Sequence, residues 1–288
     1  MRIVSLLPSG TEICFALGAG DDVVGVTFEC DYPAAARTRR IVSTTALPEG
    51  LTPGEIDEFV RRRVAAGEDL YHLNAGALRE LNPDVVISQD LCKVCAIDVD
   101  DVTEALNYLG CQAEVVTTDP HTLDDVITSI ESIAKTINRE SSTLVEDLRA
   151  RLDDFTLGTA SPRVALLEWT DPPYAPGHWL PEMVIRAGGV NVLGQAGQRS
   201  TPITWQDVAD AQPDLIVAAP CGFDLDGAAA LTRSLLDDGV LPPTIPVWAV
   251  DANGYFARPG PRLVDGIEAL AALLHDDSPD PSIARRLR

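Results

Sequence analysis

Three phrases of this chain occur twice, in the same order. RIVSLL, at 2–7, returns as RVALL at 163–167; LGAGDDVVG, at 17–25, returns as RAGGVNVLG at 186–194; LNPDVVIS, at 81–88, returns as AQPDLIVAA at 211–219. The first is a short apolar run, and the other two couple such a run to a turn rich in Gly, or in Asn or Gln before Pro, which reads as a buried strand with its adjoining turn. Such phrases are common singly in α/β proteins; their shared order points to a duplicated lobe.

Between these strands the apolar residues recur at helical spacing, the mark of parallel βα units. In the first half, strands are predicted at 3–7, 23–27, 40–43, 85–88 and 113–116, with helices near 11–17, 53–66, 74–81 and 99–109. From 121 to 155 a polar-apolar pattern places Ile127, Ile130, Ile133, Ile137, Leu144, Leu148 and Leu152 on one face. That spacing predicts a single helix about 50 Å long. The expected fold is therefore α/β, with two Rossmann-like lobes of parallel sheet joined by one long helix: an N-terminal lobe at 1–120, the connecting helix at 121–156 and a C-terminal lobe at 157–288.

Length and charge narrow the function. A chain of 288 residues, 45% hydrophobic, can bury two cores. Its 44 acidic against 22 basic residues give a net charge of -22, which repels nucleic acid and anionic membrane surfaces alike. Only Lys93 and Lys135 are lysines, a bias that with this acidity suits a salt-loving host or a GC-rich genome. No apolar run nears the roughly 20 residues of a membrane span, so membrane insertion is not expected. The start, MRIVSLLPSGTEI, reads directly into a strand with no basic and apolar leader, so a cytoplasmic location is expected.

Ligands of parallel sheets sit outside the carboxyl ends of the strands, here in an expected cleft between the lobes. Tyr32, Trp169, Tyr174, His178, Trp179, Phe223, Tyr255 and Phe256 all fall on loops at such ends. Singly, each reads as a core cap; as a set, they point to a flat or large apolar ligand, because rings supply stacking area at low entropic cost. Arg258 and Arg262 flank Pro-Gly-Pro and either meet ligand carboxylates or phosphate or brace the loop. His178 reads as a hydrogen-bonding wall residue or as an axial ligand to a metal.

The cysteines divide by position. Cys14 and Cys111 read as core, whereas Cys30, Cys92, Cys95 and Cys221 fall on strand-end loops. Cys92 and Cys95 form a CxxC beside Lys93 and ahead of a helix, where positive charge favours thiolate. With Cys30 they make a three-thiolate corner that Cys221 or His178 closes around zinc or an iron-sulfur cluster; the alternative is that the CxxC is loop sequence without a role. No nucleophile elbow, P-loop, H-E-x-x-H or dinucleotide fingerprint stands in its required context.

These residues, from RIVSLLPSGTEICFALGAG through PDVVI, GHWLPEMVIRAGG and PDLIVAAPCG to ANGYFARPGPRLVDGIEAL, resemble the cobalamin- and iron-complex-binding substrate proteins of ABC importers over nearly the whole chain. GHW-PE followed by AGG, with YF-RPGPR, looks like the cobalamin-binding branch. The resemblance implies two lobes on one rigid helix, one ligand and little hinge closure. It implies a corrinoid site lined by Tyr32, Gln89, Trp169, His178, Trp179 and Phe223, with Gln89 standing where vitamin-binding relatives present an aromatic. Family members also carry a glutamate on each lobe that meets the permease, and the matching positions here hold Cys95 and either Gln206 or Asp207. The expectation is a binding protein, not an enzyme, for a corrinoid or related metal tetrapyrrole or metal chelate, without the usual permease docking. The alternative is a cytoplasmic metal-binding or redox enzyme that uses the strand-end cysteines.

Overall fold

Strands rich in Val and Ile, apolar on both faces, need cover on both sides, and parallel sheets provide it. The computed structural model describes residues 1–89, 112–153, 161–275 and 278–288. The chain divides into two compact units, residues 1–120 with 124–147 and residues 121–123 with 148–288.

In the first unit β1 (Ile3–Ser5), β2 (Val23–Thr27), β3 (Arg40–Thr45), β4 (Tyr71–Leu73), β5 (Val85–Gln89) and β6 (Glu114–Thr118) form one sheet in the order β4-β3-β2-β1-β5-β6. Every pairing is parallel except that of β4, which lies antiparallel on β3 at the edge. β1 and β5 are buried along their whole length, and Val4, Leu6, Val42, Leu78 and Val86 pack together beneath them. β1 stops short of the expected 3–7 because Pro8, pre-set for the first helical turn, starts α1 (Pro8–Ala16). α2 (Pro53–Ala66) has the expected bounds, set by a Thr52–Glu55 capping box and by Gly67 at φ 69°. α3 (Ala75–Leu81) follows its Asn74 cap. The helix expected near 99–109 lies outside the described residues.

The one helix expected over 121–155 is two, α4 (Leu123–Thr136) and α5 (Ser142–Asp153). Asn138 adopts φ 53°, its N–H donating to the Lys135 carbonyl at 3.3 Å while the Arg139 N–H donates to the Ala134 carbonyl at 2.8 Å. Those two bonds are a Schellman stop. The helix restarts when the Val145 N–H donates to the Ser141 carbonyl at 2.9 Å. Apolar spacing runs on from Ile137 to Leu144 across the break, which is why periodicity overran it.

The second unit holds β7 (Arg163–Leu167), β8 (Trp169–Thr170), β9 (Pro173–Ala175), β10 (Val190–Asn191), β11 (Thr201–Pro202), β12 (Leu215–Ala218), β13 (Val247–Val250) and β14 (Ala284–Arg286). Five of these form a sheet in the order β10-β7-β12-β13-β14, parallel except for β14, and β11-β9-β8 form a small antiparallel sheet. Its helices are α6 (Leu180–Arg186), α7 (Trp205–Asp210), α8 (Leu225–Asp237), α9 (Ala252–Tyr255) and α10 (Leu263–His275). Arg151 of α5 bridges Asp265 at 2.5 Å and Glu268 at 2.8 Å on α10. Among the described residues no helix is long and apolar enough to cross a membrane.

The repeated phrases fold alike down to single hydrogen bonds. The run β2-β1-β5-β6 matches β10-β7-β12-β13 in order and direction. The Arg2 N–H donates to the Asp84 carboxylate at 2.7 Å and its Nε to the Leu81 carbonyl at 2.6 Å. In the second unit the Arg163 N–H donates to the Asp214 carboxylate at 2.8 Å and its Nε to the Gln212 carbonyl at 3.0 Å. Asn82 at φ 41° and Gln212 at φ 46° turn the chain out of α3 and α7 ahead of Pro83 and Pro213. α1 and α6 end in the same way, at Gly18 and Gly188, with φ 70° and 87°. These matched details are the structural counterpart of the duplication read from the sequence.

Candidate functional site

The strand ends lie where the apolar runs predicted them. In the first unit β2 leads into Cys30 and Tyr32. Tyr32 is 47% exposed, whereas Cys30 is 4% exposed with its Sγ 3.0 Å from the Thr11 hydroxyl. Gln89 ends β5, buried opposite Thr118 of β6. Burial pushes the Cys14 thiol up to about 12, helped by the nearby Asp22 and Cys30, so it stays protonated and inert at neutral pH.

The thiolate centre expected from the sequence finds no support. Cys92 and Cys95 lie outside the described residues. Cys30 is enclosed in the first unit, and Cys221 is half-buried on the loop after β12 in the second. Among the described residues no three of His, Cys, Asp or Glu gather as a metal site.

In the second unit the chain leaving β7 builds a small platform. β8 and β9 form a hairpin that sets Trp169 directly opposite Tyr174, and β11 extends it beside Tyr174. The Trp169 ring lies 5.8 Å from that of Phe223, tilted by 52°, an aromatic contact worth about 0.5–1.5 kcal/mol beyond its buried area. Glu168 is the hub. Its carboxylate accepts the Gly177 N–H at 2.9 Å, its N–H donates to the Tyr174 carbonyl at 3.1 Å, and its carbonyl accepts the Cys221 N–H at 3.1 Å. One residue thereby ties the hairpin, the 176–178 turn and the loop carrying Phe223.

That turn has no spare room. A Cβ on Gly177 would meet the Ser200 nitrogen at 2.2 Å, and one on Gly194, itself at φ 69°, would meet the Pro176 carbonyl oxygen at 1.9 Å. His178 is held at φ 51°, its N–H donating to the Gln198 carbonyl at 2.6 Å and its carbonyl accepting from the Gly197 N–H at 2.9 Å. Trp179 departs from the stacking surface expected of it. Only 5% exposed, it donates its indole N–H to the Phe256 carbonyl at 2.7 Å and so anchors the loop after β13. There the Arg262 guanidinium lies over the Tyr255 ring at 5.2 Å, while Arg258 is 7% exposed. Asp251 caps α9 by accepting the Gly254 N–H at 2.8 Å, and burial raises its pKa against the opposing pull of that bond and of Arg262. Burial raises the Tyr255 phenol likewise.

At the position matched to permease docking, the Asp207 carboxylate accepts the Thr204 N–H and hydroxyl, each at 2.7 Å, as part of the α7 capping box. Gln206 donates to Asp210 at 2.7 Å. Sequence reasoning passed over Glu168, whose work is done on backbone groups, and His121, which stands 5.6 Å from His178 between ring centroids. Only contact in the fold identifies either.

A family model described as "Periplasmic binding protein" matches residues 3–241. A vitamin B12-binding protein of Vibrio cholerae serotype O1 is 26% identical over 95% of this chain and 88% of its own length. An uncharacterized ABC transporter substrate-binding lipoprotein of Bacillus subtilis is 25% identical over 96% of this chain and 81% of its own. Among solved structures, a periplasmic heme-binding protein from Roseiflexus sp. RS-1 in apo form superposes with a TM-score of 0.66 at 21% identity, covering 96% of this chain and 98% of that one. These likenesses overturn the cytoplasmic location expected from the N-terminal residues, since the proteins matched are periplasmic or lipid-anchored. They equally remove the redox-enzyme alternative, because the proteins matched bind ligands rather than transform them. Two α/β units sharing one hydrogen-bonded plan, with a model match from the first strand to beyond α8, make this chain a member of the periplasmic binding protein family.

Proposed function

We propose that the chain binds a corrinoid, or a related metal tetrapyrrole or metal chelate, as the substrate-binding component of an ABC importer working outside the cytoplasm. The observation that carries this reading is the aromatic platform at the second unit's strand ends, Trp169 against Phe223 with Tyr174 opposite, in a chain that resembles a vitamin B12-binding protein over nearly its full length. Flat macrocycles are held by such rings. Tyr255, Arg258 and His178 border the platform's supporting loops. Trp179 serves by fixing the Phe256 backbone. A second reading, haem, is favoured by Arg262 on the Tyr255 face, since a guanidinium suits carboxylate substituents where a corrin carries amides.

Titration with cyanocobalamin, cobinamide and hemin, followed by calorimetry and absorption, tests both. Corrinoid binding that Trp169→Ala weakens by about 1–3 kcal/mol is the expected result. Binding of hemin alone selects the second reading. Absence of heat and of spectral change with all three ligands at high protein concentration refutes both.

A further inference from the structure

Two of the chain's four histidines are brought together from 57 residues apart, and three separate restraints hold them there. The ring centroids of His121 and His178 lie 5.6 Å apart at an interplanar angle of 45°. His178 sits in the left-handed region, a conformation uncommon for a residue with a side chain and kept only where surrounding structure enforces it. The enforcement is visible in its two backbone bonds to Gln198 and Gly197 and in the crowding at Gly177 and Gly194. His121 is placed independently. The Glu182 carboxylate of α6 accepts the Leu123 N–H at 2.8 Å and fastens residues 121–123 to the second unit. A Cβ on Gly197 would lie 3.9 Å from the Thr122 methyl, so the loop that pins His178 also borders the segment bearing His121.

We propose that His121 and His178 form a two-imidazole site for a borderline divalent transition-metal ion such as nickel. Imidazole is a preferred donor for such ions. With metal–nitrogen bonds of about 2.1 Å and each centroid about 1.1 Å behind its nitrogen, two rings on the square-planar or tetragonal ion that nickel prefers stand about 4.5 Å apart in adjacent positions and about 6.4 Å apart in opposite ones. The observed 5.6 Å lies between the two, so side-chain rotation brings the rings to either. Both rings are half-buried, and no carboxylate or thiol joins them in a group of three among the described residues. The remaining coordination positions are left to water or to donor atoms of a bound chelate. This inference is independent of the corrinoid reading, and its test uses the bare ion.

The experiment is calorimetric titration of Ni²⁺ at about pH 7.5, where free imidazole is neutral, in a Cys92→Ser/Cys95→Ser background that removes the CxxC as a competing site. One ion per chain is expected. Outer-shell partners alone are worth about 10- to 100-fold in metal affinity, so losing a donor costs at least that in His121→Gln or His178→Asn. Asn is chosen at 178 because it tolerates the left-handed backbone. His72→Ala, an exposed histidine of the first unit, leaves binding unchanged. Paramagnetic broadening of imidazole proton resonances gives a second readout and is expected at His121 and His178 alone. Nickel bound as tightly by the combined His121→Gln/His178→Asn variant as by its Cys92→Ser/Cys95→Ser parent, no binding by that parent, or broadening centred on His72 or His275 overturns the proposal.

Discussion

Replacing Gly194 by alanine tests whether the 176–178 turn is held as tightly as its contacts imply. Two costs add at this position. An alanine at φ 69° pays about 1–2 kcal/mol for the left-handed conformation. Its Cβ also falls 1.9 Å from the Pro176 carbonyl oxygen, more than an ångström inside contact distance, and the obstacle is backbone that cannot rotate away. Overpacking of this kind costs about 1–3 kcal/mol, for a total of roughly 2–5 kcal/mol. Gly239→Ala is the matched control, since Gly239 has φ 67° with nothing within 4 Å of its Cβ, so only the conformational cost applies. Trp169, Trp179, Trp205 and Trp248 all belong to the second unit, so urea denaturation followed by tryptophan fluorescence reads the unit in which both glycines lie. The Gly194 variant is expected to lose at least 1 kcal/mol more than the control, and its Pro176 shift to weaken ligand binding. Equal destabilisation by the two variants would refute the steric account of the turn.

Asn74→Ala removes the side chain that accepts the Ala77 N–H at 2.9 Å and should cost about 1 kcal/mol, read in the first unit by far-ultraviolet circular dichroism during urea unfolding. Native thiol titration at pH 8 should leave Cys14 unreacted, whereas Cys221 reacts; labelling of Cys14 without unfolding would contradict its burial. Because burial raises the Asp251 pKa, the folded state binds its proton more firmly than the unfolded state does. Stability therefore falls as pH rises from the unfolded value near 3.8 through the raised folded value. Asp251→Asn, which keeps the cap acceptor, should flatten that slope, and an unchanged pH profile would show that Asp251 is not its source.

What could be read from the sequence was what local pattern encodes. The strands β1, β2, β5, β7 and β12 are short, mainly apolar runs. Of the aromatic residues expected on strand-end loops, Trp169 and Tyr174 lie instead in the short strands β8 and β9, and Tyr255 in the short helix α9. The hairpin β8–β9 and strand β11 were not legible, since segments of two or three residues interrupted by Pro172, Pro173 and Pro202 have no periodicity to detect. The break at Asn138 was written in the chain, as an Asn followed by Ser141–Ser142, but a continuing apolar stripe outweighed it. Trp179 looked like its neighbour Trp169 because residue type says nothing of direction; one faces the platform and the other the Phe256 backbone. Glu168 was invisible because its partners are backbone groups, which no residue type signals, and His121 because His178 lies 57 residues away.

The arginine latches at the two strand starts set an order of assembly. β1 lies between β2 and β5, and its Arg2 closes on Asp84, 82 residues later. A chain emerging from the ribosome can pair β1 with β2 early, but one side of β1 stays open until residues 84–89 appear. The second unit repeats the delay, because β7 waits for Asp214 and β12, 51 residues on. Each half therefore remains an incomplete sheet with a vacant central slot until most of it has been made. That slot is an unpaired strand edge of the kind a holding chaperone recognises. Completion then comes late and in two steps, each sealed by its own arginine and aspartate.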